Sequence, residues 1–310
     1  MHDVERAAIF GQLEMMPRHL SEVARELGAD RIRRRPAAGG FSVVEHAWHL
    51  ADIEDEGYGL RIRRIVTESG PLLADFDGDR LAAERHYQER PLDAALAAFA
   101  YARARNLTAL RQIAVADWSR LARQEGIGAL TLADLPRMMA GHDAAHRAEI
   151  DALRVEGALE ALVGSPSRLR TLLGRFSQDA LRRMPSAPPV GAEALSPIGH
   201  ACHLRDFDAE AYRVRIRRMR TEIDPRLASV SGEELARERA YDSADPEQTL
   251  SAFEQARSET LGVLRGVAPG EWSRSGDFEG HGRVTLLRLV EILAEHDQLH
   301  LAALESMPRD

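Results

Sequence analysis

Apolar residues recur along this chain at the spacing of helices, and almost nowhere at that of strands. In VVEHAWHLADIEDEGYGLRIRRIV, the residues Val44, Trp48, Ala51, Ile53 and Leu60 fall near i, i+3, i+4 spacing, which marks one buried face of an amphipathic helix. Ser42 stands just before it, where a side-chain oxygen can cap orphan N–H groups. A second long helix is predicted over about 93–113 from Leu96, Phe99, Leu107 and Leu110. A third begins at Thr131, which with Asp134 has the spacing of a capping box, and runs to about Leu153. A shorter helix over about 19–27 precedes them, entered through Pro17 at a first-turn position where a missing N–H costs nothing. The connection from Glu68 to Pro91 is too long for a tight hairpin and suggests a crossover.

The pattern then returns. YGLRIRRIVTES matches YRVRIRRMRTEI, ADWSR matches GEWSR, and HDAAH matches HDQLH, each 154 residues on. From about Phe41 to Ile150 no gap is needed, and about four in ten positions are identical. Upstream the offset falls to 149, as Pro17 and Pro166 or Pro36 and Pro185 show, so the second copy is longer around APPVGAEALS. Pro/Gly-rich loops vary cheaply in length. Four helices in about 150 residues suit a four-helix bundle. The expected fold is therefore all-α: two tandem four-helix bundles related by internal duplication, copy 1 at 1–155 and copy 2 at 156–310.

Composition narrows the chemistry. All 41 basic residues are Arg, so lysine Schiff bases and a phosphate-loop lysine are excluded. A net charge of −8 works against a polyanion, and Arg33–Arg35 and Arg215–Arg220 sit in acid-rich helical stretches that read as solvated faces. No nucleic-acid partner is expected. No membrane partner is expected either, because no run of about 18 apolar residues occurs and MHDVERAAIF lacks the form of a signal peptide. The single cysteine, Cys202, cannot form an internal disulfide, and a reducing cytoplasm is the expected compartment. Its counterpart in the first copy is Trp48, which argues against a catalytic thiol.

Of twelve histidines, eight form four pairs at the repeat offset: His46 with His200, His49 with His203, His142 with His296, and His146 with His300. His142 and His146 are i, i+4, so their rings leave one helix face a turn apart. His49, 93 residues upstream, is the natural third donor, and His203 stands equally far from His296. Three neutral imidazoles would leave a divalent ion its full charge and an open position for water, thiolate or substrate oxygen. Zn, Ni or Fe suits such a donor set. His46 and His200 are candidates for a fourth ligand, an outer-shell base or a hydrogen-bonded helix residue. Asp52 and Asp206, three residues past the ligand, either orient an imidazole N–H or are solvated helix carboxylates. Asp143 and Asp297 point away from their neighbouring ligand, which favours a structural or interface role. Tyr58 with Arg61, and Tyr212 with Arg215, recur beyond the first ligand; the arginines either hold a substrate carboxylate or, more in keeping with a bundle, join salt bridges. Trp118 and Trp272 read as core anchors.

Together FSVVEHAWHLAD, the YGLRIRRIVTES run, ADWSR, the Thr131-Leu132 helix start and HDAAH resemble the DinB-like (DinB/YfiT) superfamily of metalloenzymes, and both copies carry the resemblance. It implies four-helix bundles with a three-histidine metal site, here His49, His142 and His146, and again His203, His296 and His300. Relatives include bacillithiol transferases, a mycothiol-dependent isomerase and the front domain of an iron-dependent sulfoxide synthase. The resemblance thus implies a divalent-metal enzyme that passes an external low-molecular-weight thiol to an electrophilic small molecule. The alternatives are a metal-dependent hydrolase with His46 or Asp52 as proton shuttle, and a non-catalytic metal-stabilised stress or binding protein. Family members are commonly single bundles and often dimeric, so a tandem chain is expected to form an internal pseudo-dimer and to work as a monomer.

Overall fold

The computed structural model describes residues 3–37, 39–185 and 193–308, so most of the longer loop around APPVGAEALS lies outside the described residues. The chain divides into two compact units, Met1–Arg154 and Val155–Asp310. Each is a four-helix bundle. In the first unit the helices are Asp3–Arg31, then Val43–Asp52 continuing through a π-helical stretch Ile53–Gly59 into Leu60–Thr67, then Leu92–Arg111, and the helix that starts at Asp134. The second repeats this with Pro197–Asp206, the π-helical Phe207–Tyr212, Arg213–Thr221, Pro246–Arg265 and Leu286–Ser306.

Two helix boundaries differ from the sequence pattern. The first helix begins at Asp3 and runs through Pro17. An interior proline costs roughly 3 kcal/mol, but Phe10, Leu13, Met16, Leu20 and Val23 form one buried stripe across it, each worth about 1.5–3 kcal/mol when fully buried. At the other end, the helix that starts at Asp134 ends at Leu173, past the expected stop near Leu153. The only punctuation before the serine-proline pair there is glycine, tolerated inside a helix at about 1 kcal/mol each.

The strands were not visible in the pattern. Each unit carries a small sheet: Leu72–Leu73 pairs parallel with Leu121–Gln124, which pairs antiparallel with Gly128–Thr131. Arg226–Leu227, Ser275–Phe278 and Gly282–Thr285 repeat it. Strands this short leave no room for a period-two signal. The first sheet turns through Gly126 and Gly128, both at positive φ, where a Cβ would be strained. These sheets pin the long crossover after Thr67, and with it a short helix, Gly78–Glu84, that reaches the histidines.

One buried guanidinium ties together all four helices of a unit. Arg103 donates to both oxygens of Asp143 at 2.6 and 2.9 Å, lies 2.9 Å from Glu54 Oε2, and donates to the Leu13 carbonyl at 2.8 Å. Asn106 completes the cluster by donating to Glu54 Oε1 at 2.9 Å. In the second unit Arg257 binds Asp297 at 2.5 and 3.0 Å, the Leu162 carbonyl at 3.1 Å and Asp208, which also accepts from Thr260. The structural part expected of Asp143 and Asp297 is thus an ion pair across the bundle centre. Among the described residues, no helix is long and apolar enough to cross a membrane.

Candidate metal centre

Capping fixes where the first ligand helix starts. Ser42 accepts from the Glu45 N–H while Glu45 Oε2 accepts from the Ser42 N–H at 2.9 Å, a reciprocal box one turn ahead of His46 and His49. Ser196 accepts from Gly199 N–H at 3.2 Å in the second unit. With the helix so placed, Nε2 of His49 lies 3.2 Å from Nε2 of His142, and His142 Nε2 lies 3.1 Å from Nε2 of His146. In the second unit Nε2 of His203 and His296 are 3.0 Å apart. In each unit one nitrogen from all three rings falls within 4.8 Å of the others.

This donor set fits a divalent cation. Two nitrogens held 2.0–2.1 Å from a common ion stand about 2.9–3.4 Å apart over octahedral to tetrahedral angles, and the Nε2 separations of 3.0–3.2 Å lie in that span. Burial also disfavours the charged form of five of the six rings, and a ligand must be uncharged. Burial, with the charge of neighbouring histidines, pushes His142 down to about 3 and His49 down to about 4. Burial also holds His296 well below its ordinary value, and lowers His146 against the opposing pull of Glu149.

His46 and His200 lie behind the third ring, not among the converging nitrogens. Nδ1 of His46 is 3.0 Å from Nδ1 of His146, and Nδ1 of His200 is 2.8 Å from Nδ1 of His300. Of the three roles open to them, the geometry is that of an outer partner. Asp52 and Asp206 are not brought to the imidazoles. Asp52 accepts from Arg85 at 2.6 Å and from the Tyr87 hydroxyl; Asp206 accepts from Arg205 at 2.6 Å and Tyr241 at 2.9 Å, with Arg239 also 2.9 Å away. Both carboxylates are turned toward the cations and phenols of the crossover segment.

The arginines beyond the ligand also depart from the salt bridges expected. Arg61 donates to the Ala74 carbonyl at 3.1 Å and Arg215 to the Ala228 carbonyl at 2.8 Å, each beside its tyrosine ring. They tie down the crossover loop. Trp118 is buried in the core of the first unit, and Trp272 packs, partly exposed, against the core of the second. The Cys202 thiol is buried beside Thr249 and pushed up by that burial.

Gly78 and Gly232 were missed in the sequence, although they recur at the repeat offset. A Cβ at Gly78 would overlap Cε1 of His49, and one at Gly232 would overlap both His203 and the Glu193 carboxylate. Only glycine lets the crossover helix lie on the ring. The walls differ between units: Phe41 and Phe76 approach His49 with centroids at 5.5 and 6.1 Å. Phe207, where the first unit has Ile53, stacks on His203 at 4.0 Å. His300 is buried where His146 is partly exposed, and His203 is 1% exposed against 7% for His49, so the second cluster is the more enclosed.

Among known proteins, the chain is 24% identical over 142 residues to a "putative metal-dependent hydrolase" of Oceanobacillus iheyensis, a match that covers 46% of this chain and 81% of that protein. It is also similar to the solved structure of YfiT from Bacillus subtilis, described as "a probable metal-dependent hydrolase with an unusual four-helix bundle topology". There the identity is 19% and the TM-score 0.46, over 49% of this chain and 87% of that one. The family model of the DinB superfamily matches residues 12–150 and again 161–304. Each match takes in one set of three converging histidines, and the two together span nearly the whole sequence; the chain belongs to the DinB superfamily and carries its domain twice.

Proposed function

We propose that this chain is a divalent-metal-dependent enzyme acting on a small molecule, with His49, His142 and His146 holding one ion and His203, His296 and His300 a second. The convergence of Nε2 atoms at 3.0–3.2 Å carries this reading. The donor set suits Zn, Ni or Fe. When bound, such an ion supplies Lewis acidity, favouring the ionised form of an oxygen or sulfur acid at its open position.

The finer proposal is transfer of an external low-molecular-weight thiol to an electrophile. It is supported by the weakness of the bases nearby. Burial holds His46 and His200 down to about 3, too weakly basic at neutral pH to draw a proton from water. Asp52 and Asp206 are committed to arginines and tyrosines. A thiol, with a pKa of about 8.5, ionises with far less help. Cys202, buried and raised, does not supply it. His46 and His200 then act as acceptors that keep His146 and His300 oriented. Hydrolysis is the second reading, favoured by the description of the Oceanobacillus relative.

Protein purified without chelator is first assayed for Zn, Ni and Fe, then given chlorobimane with cysteine, glutathione or a cysteinyl aminosugar, and separately given nitrophenyl esters without thiol. Metal-dependent conjugation supports thiol transfer. Ester cleavage with no thiol present supports hydrolysis instead, and a metal-free, inactive preparation refutes both.

A further inference from the structure

The two clusters differ in where a carboxylate stands behind them. In the first unit Glu149 Oε2 lies 2.9 Å from Nδ1 of His146. The residue 154 positions on is Ala303, buried and without a polar side chain, so no carboxylate reaches His300 from there. The second unit has one on a different ring: Glu193 Oε2 lies 3.1 Å from Nδ1 of His203, off the in-line direction of a hydrogen bond. Glu193 is three residues before the N-cap Ser196; three before Ser42 stands Gly39, and Nδ1 of His49 has no hydrogen-bond partner among the described residues. Each cluster therefore has one imidazole backed by a carboxylate. The fourth helix supplies it in one unit, and the approach to the second helix supplies it in the other.

A carboxylate beside Nδ1 favours the tautomer protonated there, which leaves the Nε2 lone pair facing the cluster and makes the ring a stronger donor. The position of Glu193 is held by its surroundings, since it packs against Gly232 and His203. Glu149 is the more solvated of the two, with 58% of its side chain exposed against 32% for Glu193. We propose that Glu149 and Glu193 are positioning residues with the same task, each setting the metal affinity of its own unit through a different ligand. This rests on the metal reading given above. Because Glu149 is more exposed, its influence is the more strongly screened by salt.

The test is titration of the full chain with Zn²⁺ against a chromophoric chelator, repeated with Co²⁺ to read the absorption band of each site. Glu149→Gln weakens one of two sites by about ten- to hundredfold, and Glu193→Gln weakens the other by a similar factor. The site weakened by Glu149→Gln is the one abolished by His142→Ala, and that weakened by Glu193→Gln is the one abolished by His296→Ala. Where a histidine variant does not fold, the double glutamine variant decides: two weakened sites support the proposal. Unchanged affinities, or both substitutions acting on one site, overturn it. A chain that binds no ion at all overturns the metal reading itself. Without metal, the melting temperature of Glu149→Gln matches the unaltered chain, which separates a ligand-positioning role from a structural one.

Discussion

Nδ1 of His46 sits 3.0 Å from Nδ1 of His146, and the repeat places His200 and His300 the same way at 2.8 Å. Two imidazole nitrogens so close share one proton. If His146 donates it, that N–H lies between His46 and Glu149, its Nε2 is bare and faces His142, and two residues that touch no metal together decide which nitrogen is offered to one.

Replacing His46 by Leu removes that acceptor at similar volume. The first unit's affinity for Zn²⁺ is expected to fall by about ten- to hundredfold, read by chelator competition. An unchanged affinity would mean that the pair only packs the helices.

Gly78→Ala places a methyl group against the His49 ring. The expected outcome is a fall from two bound ions to one in metal analysis, with the second unit unaffected. Retention of two ions would show that the crossover helix can move aside.

Asp143→Ala leaves Arg103 buried with Glu54 as its remaining anion. Breaking a buried pair on one side costs roughly 3–5 kcal/mol, and the surviving Glu54 contact puts the expectation near the lower end. Urea unfolding of the first unit measures it. A loss close to that of a surface substitution would show the cluster to be dispensable.

Acid should unfold the metal-free chain early. In the unfolded state each histidine titrates near 6.5, while in the folded state burial keeps His46, His142 and His200 down to about 3 and His49 to about 4. Between these limits the unfolded chain binds more protons, so stability is fully present above about pH 6.5 and falls as pH drops to about 4 for His49 and about 3 for the other three. Each such group contributes up to about 1.4 kcal/mol per pH unit. Urea midpoints of chelator-treated protein at pH 7.5, 6 and 5 should decline in that order, and a flat profile would contradict the buried, neutral state of these rings.

The helices and the histidine set were legible because duplication left two imperfect copies to compare. His49, His142 and His146 stood out by surviving twice, and the same comparison would have flagged Arg103 with Arg257 and Gly78 with Gly232 had they been weighed. Asp52 and Asp206 also survived twice, yet their partners are Arg85 and Tyr87, or Arg239 and Tyr241, in a crossover whose path no periodicity reveals. Arg61 was read as an ion-pairing residue because its charge is visible in the sequence and the carbonyl of Ala74 is not. The short strands gave no pattern at all. Glu149 and Glu193 escaped for the opposite reason: they occupy unmatched positions, so a search for what the copies share discards them.

The π-helical turns have a consequence for how this chain can vary. A π turn holds one residue more than the α-helix needs, and an α-helix rotates about 100° per residue. Were Ile53–Gly59 regular α-helix with the same number of residues, everything after it would turn by about that angle, carrying Arg61 away from the Ala74 carbonyl. Of those seven residues only Glu56 and Tyr58 recur, as Glu210 and Tyr212. What the two copies have preserved there is the widened turn itself, which recurs at Phe207–Tyr212 although most of its letters differ.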